Sequence, residues 1–166
     1  VYGFFGLVII VPIIQNVFGT GGKGVLTASI LLGIMILPTI IEVSESSLRA
    51  VPKQYFEGSL ALGATKERSI FKAVLVGGKS GVMSAVVLGL GRAIGETMAV
   101  IMVAGNQAAI PKSVLSGVRT LTSNIVLEMA YAADLHREAL IATAVVLFVF
   151  ILIINICLSM VKRRES

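Results

Sequence analysis

Arg92 and Glu96 stand four residues apart inside the apolar run Gly81–Ala104. On a continuous helix that spacing puts both side chains on one face. A charge at the centre of a bilayer-length helix costs ~2.5–3.5 kcal/mol on insertion scales, and mutual pairing offsets only part of that. Such a pair can line a path for an anionic solute, with Arg92 as counter-charge, Glu96 steadying the guanidinium and Thr97 adding a hydroxyl. It can equally be a salt bridge that locks two helices together. Gly91, Gly95 and Ala99 recur at the same four-residue spacing, a small-residue ridge for close helix approach. No other set of residues promises chemistry. A single cysteine, Cys157, and a single histidine, His136, exclude an internal disulfide, a metal cluster and the multi-histidine zinc motifs. Gly78-Lys79-Ser80 imitates the end of a phosphate-binding loop, but Ala73 stands where that loop needs glycine and no strand precedes it. Lys79 is read instead as a side chain reaching the membrane interface.

The elements that must hold these residues are set by composition. Of 166 residues, 56% are hydrophobic and only 14% charged, and mean hydropathy is +0.96. A soluble domain carries ~25% charged residues, so a disordered chain, a nucleic-acid module and a secreted disulfide scaffold are all excluded. A bilayer core needs ~20 apolar residues of helix. Four runs approach this: Val1–Phe18, Val25–Val43, Gly81–Ala104 and Ala139–Val161. The expected fold is an all-α membrane protein, a polytopic bundle with four spanning helices, read as a single domain over 1–166. Val1 already lies in an apolar stretch, so further helices are expected before it. Lysine and arginine are unequally shared between the two sides. Arg49, Lys53, Lys66, Arg68, Lys72, Lys162, Arg163 and Arg164 face Lys23, Lys112, Arg119 and Arg137, eight against four. The richer side is cytoplasmic by the positive-inside rule, which places the C-terminus in the cytoplasm. Pro38 is expected to kink the second run, Asn155 to bond to a neighbouring helix, and Cys157 to pack.

Between the second and third runs, residues 44–72 carry helix punctuation. Pro52 suits a first turn, Gly63 a left-handed stop, and Thr65 with Glu67 the start of a second helix. The first helix is expected over roughly Lys53–Leu62, with Phe56, Leu60 and Ala61 as an apolar stripe. Two short amphipathic helices of this kind can dock in a groove of another protein or lie on the membrane surface.

The stretch Glu57-Gly58-Ser59-Leu60-Ala61-Leu62-Gly63-Ala64-Thr65, preceded by Leu48-Arg49-Ala50-Val51-Pro52, resembles the EAA loop of type I ABC importer permeases. Gly58 and Ser59 replace the two alanines of the family pattern, Ala73 an aliphatic residue and Val76 a proline. Loss of that proline predicts a smooth run from the loop into the third span. Gly91-Arg92-Ala93-Ile94-Gly95-Glu96-Thr97-Met98-Ala99-Val100 is similar to the span after this loop in phosphate-specific importer permeases, the C-type subunit rather than the A-type. What the resemblance implies is a membrane subunit of an ATP-driven phosphate importer, not itself an enzyme. It implies ATPase coupling through Glu57, Gly58, Ser59, Gly63 and Ala64, and a substrate path at Arg92, Glu96 and Thr97. The implied partners are a second permease subunit, two ATPase subunits, an extracytoplasmic phosphate-binding protein and the lipid bilayer, with no nucleic acid. This chain would bind no cofactor; ATP and Mg would sit on the ATPase. Permeases for another oxyanion or small nutrient, and an ion-coupled secondary transporter, remain the competing readings. The outer segment 106–136, amphipathic around Val114–Met129, is either partly re-entrant or a docking surface, and His136 reads as a solvated interface residue.

Overall fold

A computed structural model describes residues 1–165, with side chains through Met160. The side chains of Lys162, Arg163 and Arg164, counted in the charge balance, lie outside the described residues. Eight helices are present among the described residues: α1 (Tyr2–Phe18), α2 (Val25–Arg49), α3 (Lys53–Ala61), α4 (Lys66–Gly77), α5 (Lys79–Gly95), α6 (Met98–Val103), α7 (Leu121–Glu128) and α8 (Asp134–Glu165). The chain packs as two compact units, one of residues 1–35 with 92–153, the other of residues 36–91 with 154–166.

In the first unit α1 is wound with a π turn at Gly6–Ile10 and stops at Gly19, whose φ is 63°. Gly3, Gly6, Ile10 and Ile14 follow helical spacing and form its buried face. The two glycines let the backbone approach its neighbours closely. A Cβ at Gly6 would stand 2.8 Å from Leu31 Cδ2 and 3.0 Å from Val103 Cγ1. The resulting core joins Ile10, Val11 and Ile14 to Ala28 and Leu31 of α2 and to Ala99, Val100 and Val103 of α6. The glycine-rich turn before α2 is held by the buried Thr27 hydroxyl, which donates to the Gly22 carbonyl. Only glycine fits at 22: φ is 69°, and a Cβ would meet the Val11 carbonyl. The orphan N–H groups at the start of α2 are satisfied from the stretch between α6 and α7, Val25 by Ser116 O (3.2 Å) and Leu26 by Val114 O (2.9 Å). That stretch holds a parallel bridge, Gly105 to Val118, and leads into the short α7 capped by Thr120.

In the second unit the glycine-bearing face of α5 packs on the end of α2. Gly81, Ala85 and Gly89 recur every four residues; Cβ atoms at the glycines would stand 2.3 Å from Ser47 Cβ and 2.6 Å from Ile40 Cγ1. Ala85 between them is fully buried. Helix α3 lies against α4.

Among the described residues two helices are long and apolar enough to cross a membrane, α2 and Asp134–Met160 of α8, or three if the bent pair α4 and α5 counts as one, in rough agreement with the expected all-α bundle. Two expectations are corrected. The third run is no single helix, because it stops at Gly95 and restarts at Met98. Nor does the loop pass smoothly into it: α4 and α5 are bent by 69° at Gly78. Val76 lacks the missing proline's constraint, yet the Gly77-Gly78 pair supplies the bend by fitting beneath Leu48 and Val51, with Leu48 Cδ2 2.7 Å from a Cβ at Gly78.

Candidate functional site

The break between α5 and α6 is built by side chains that replace backbone bonds. Glu96 N–H reaches back to Ala93 O at 3.3 Å, and the Thr97 hydroxyl donates to Gly95 O at 3.3 Å. Glu96 Oε1 then accepts from Ala99 N–H at 3.1 Å, closing the open start of α6. The expected shared helical face of Arg92 and Glu96 is therefore lost: Arg92 sits on the last turn of α5, Glu96 in the gap after it.

The two side chains nevertheless meet one space. Arg92 and Glu96 line a cavity of about 280 Å³ together with Tyr2, Met35, Met98 and Met102. Its other side chains are apolar apart from the phenol of Tyr2, and Arg92 and Glu96 supply its charged side chains. Glu96 also borders a second cavity of about 290 Å³, which Ser29, Thr120 and Thr122 furnish with hydroxyls. Thr97 lines neither, its hydroxyl being turned onto Gly95. An apolar chamber with one guanidinium and one carboxylate can desolvate and orient a small anion. The described residues contain no group of His, Cys, Asp and Glu that could hold a metal.

Gly91 and Gly95 face open space in this chain. Gly95 has no neighbour, and only Asn155 Oδ1 comes within 3.8 Å of a Cβ at Gly91. The ridge packed inside the chain is Gly81, Ala85 and Gly89.

The residues expected to couple to an ATPase belong to the second unit, on the hairpin of α3 and α4. Helix α3 ends in a Schellman arrangement: Gly63 N–H bonds Leu60 O at 2.9 Å and Ala64 N–H bonds Ser59 O at 3.2 Å, with Gly63 at φ 85°. The Thr65 side chain caps α4 as expected, accepting from Arg68 N–H at 3.4 Å. Glu57 and Gly58 are exposed, Ser59 and Ala64 half-buried, and Leu62 at the tip is 91% exposed.

A polar cluster on the segment after α6 was not foreseen. Arg119 Nη1 donates to Glu128 Oε1 (2.8 Å) and Asn124 Oδ1 (3.3 Å), and its Nε donates to Asn106 O (3.2 Å). His136 Nε2 lies 3.7 Å from Glu128 Oε2. Arg119 and Asn106 are 13 residues apart in sequence and lie on no common element, so no local signal joins them.

The chain is similar to known proteins over nearly all its length. Residues 3–166 match the model of the binding-protein-dependent transport system inner membrane component family. The probable ABC transporter permease protein YqgH of Bacillus subtilis is 40% identical over 93% of this chain and 52% of its own length. The phosphate transport system permease protein PstC of Pasteurella multocida is 35% identical over the whole chain and 58% of its own length. PstC 2 of Mycobacterium tuberculosis is 39% identical over 84% of this chain and 44% of its own length. The chain thus spans about half the length of these curated relatives. No solved structure is a match for it. Its apolar helices and this match over residues 3–166 place the chain in the family of binding-protein-dependent transport system inner membrane components.

Proposed function

We propose that this chain forms the substrate-contacting part of the membrane subunit of an ATP-driven importer of inorganic phosphate. The observation that carries the reading is the placement of Arg92 and Glu96 in one apolar cavity at a helix break. A guanidinium presents two parallel donors that suit two phosphate oxygens, and an apolar wall strengthens that attraction by excluding water. Glu96 keeps the site from becoming an anion trap, because its charge opposes long residence of the solute. Relatives that carry phosphate transport in their names favour phosphate over other oxyanions.

Transport follows by alternating access. The chain assembles with a second permease subunit, two ATPase subunits that hold ATP and Mg, and an extracytoplasmic phosphate-binding protein. It lies in the cytoplasmic membrane with its C-terminus inside. The hairpin presents Glu57, Gly58 and the exposed Leu62 to the ATPase, and Gly63 and Ala64 fix its turn. Closure of the ATPases moves the hairpin, which is covalently continuous with α5 and hence with Arg92.

Phosphate uptake into proteoliposomes holding the full assembly tests the reading, with sulfate and molybdate as competitors. Arg92→Gln is expected to abolish uptake while the subunits still co-purify. Normal uptake by that variant, or stronger competition by sulfate than by unlabelled phosphate, would refute it.

A further inference from the structure

We propose that helix α4 is an interfacial element whose exposed face binds anionic phospholipid headgroups of the cytoplasmic leaflet; this rests on the membrane orientation adopted above. Three observations on α4 lead there. Its inner side, Ser69, Ala73 and Val74, is buried or half-buried beside α3. Its outer side repeats at helical spacing: Arg68, Phe71, Lys72, Leu75 and Val76 are all exposed, Phe71 by 67% and Val76 by 63%. Two cations thus stand among three large apolar side chains on one open face, the composition of a helix lying in a membrane interface.

The third observation is depth. Helix α4 joins the spanning helix α5 through a 69° bend at Gly78. At 1.5 Å per residue α4 is ~18 Å long. With α5 near the bilayer normal, a 69° bend lifts its far end only ~6 Å from the level of Gly78. The headgroup layer on each side of the hydrocarbon core is ~5–8 Å thick. The whole of α4 therefore stays at headgroup level. Phe71, Leu75 and Val76 reach the acyl boundary, and Arg68 and Lys72 turn their charged ends outward to the phosphates. Anionic rather than zwitterionic lipid is the fitting occupant, because cations outnumber acids there: Lys66, Arg68 and Lys72 stand against Glu67, the one acid of α4, which lies a turn before Phe71 at the edge of the face. Lipid held there would steady the bend at Gly78 and so the base of the hairpin.

The test uses the full-length protein, cysteine-free through Cys157→Ser in this part of the chain, with an environment-sensitive fluorophore on Phe71→Cys. It is reconstituted into bilayers in which either phosphatidylglycerol or phosphatidylcholine carries brominated acyl chains. The label at 71 is expected to be quenched, and more strongly when bromine is on phosphatidylglycerol. A label on Leu62→Cys is expected to stay unquenched. Arg68→Gln and Lys72→Gln should each reduce the preference for the anionic lipid about fivefold. An unquenched label at 71, or equal quenching by both lipids, overturns the proposal. So does shielding of position 71 that appears only when the ATPase subunit is added, which would make the face a protein-docking surface. The measurement needs neither ATP nor phosphate, so quenching in a protein that fails to carry phosphate leaves the lipid surface standing. Attack on Leu62→Cys by an impermeant maleimide from the periplasmic side alone would overturn the orientation instead.

Discussion

Glu96 Oε1 accepts the backbone N–H of Ala99 at 3.1 Å, so the carboxylate that shares a cavity with Arg92 also caps the helix that restarts after the break. One of its oxygens is thereby committed to the start of α6. The two duties separate by substitution. Glu96→Gln keeps an acceptor for Ala99 and is expected to leave thermal stability of the purified protein nearly unchanged. Glu96→Leu removes it and is expected to cost about 1 kcal/mol, the usual scale of a lost N-terminal cap. Equal melting temperatures for the two variants would show that the bond contributes nothing.

This break also marks where sequence reading stopped short. The apolar run Gly81–Ala104 was long enough for a crossing, and length is what hydropathy measures. Gly95 followed by Thr97 is the local stop and start signal, and the apolar residues on both sides mask it. Conversely the hairpin was legible to within a residue, because Pro52, Gly63 and Thr65 act on the backbone locally and need no partner. The bend at Gly78 was not legible, since it depends on Leu48 and Val51 from another helix. Four-residue spacing fits Gly91, Gly95 and Ala99 as well as Gly81, Ala85 and Gly89, and only the fold tells that the second set meets α2.

That distinction is measurable. At Gly81 a Cβ would stand 2.3 Å from Ser47 Cβ, whereas at Gly91 it would have only Asn155 Oδ1 at 3.8 Å. Gly81→Ala is expected to destabilise the protein by about 1–3 kcal/mol through overpacking. Gly91→Ala is expected to leave it unchanged or slightly more stable, alanine being the better helix former. Chemical denaturation of both variants in the same detergent checks the order, and a reversed order would contradict the packing of α5 on α2.

On the hairpin, Gly63 and Glu57 are expected to fail differently. Gly63 holds φ at 85° with open space around it, so Gly63→Ala strains the backbone by about 1–2 kcal/mol without a clash. Glu57 is exposed, and Glu57→Ala should leave the fold intact. Both are expected to weaken co-purification of the ATPase, but only Gly63→Ala should also speed amide exchange at Ala64 and Gly63. Undiminished co-purification in both would count against a coupling role.

Arg119 ties the segment after α6 together through three acceptors on two stretches of chain: the Asn106 carbonyl just after α6, and Asn124 and Glu128 on α7. Its side chain is 25% exposed, so the pair with Glu128 is only partly screened by water. Removing the guanidinium leaves the Glu128 carboxylate half-buried with only His136 nearby. Arg119→Met keeps the aliphatic stem but no donor, and is expected to cost about 2 kcal/mol, the scale of hydrogen bonds to a charged group. The loss should be local, because α7 is also held by its Thr120 cap, which bonds the buried Ser123. Hydrogen exchange is therefore the sensitive measurement: amides of Leu121–Glu128 should exchange faster while those of α2 and α5 keep their protection. Arg119→Lys should recover only part of the effect, since one ammonium cannot span three acceptors held by a planar fork. Uniformly faster exchange through α2 and α5 as well would mean that Arg119 supports the whole first unit rather than the segment after α6.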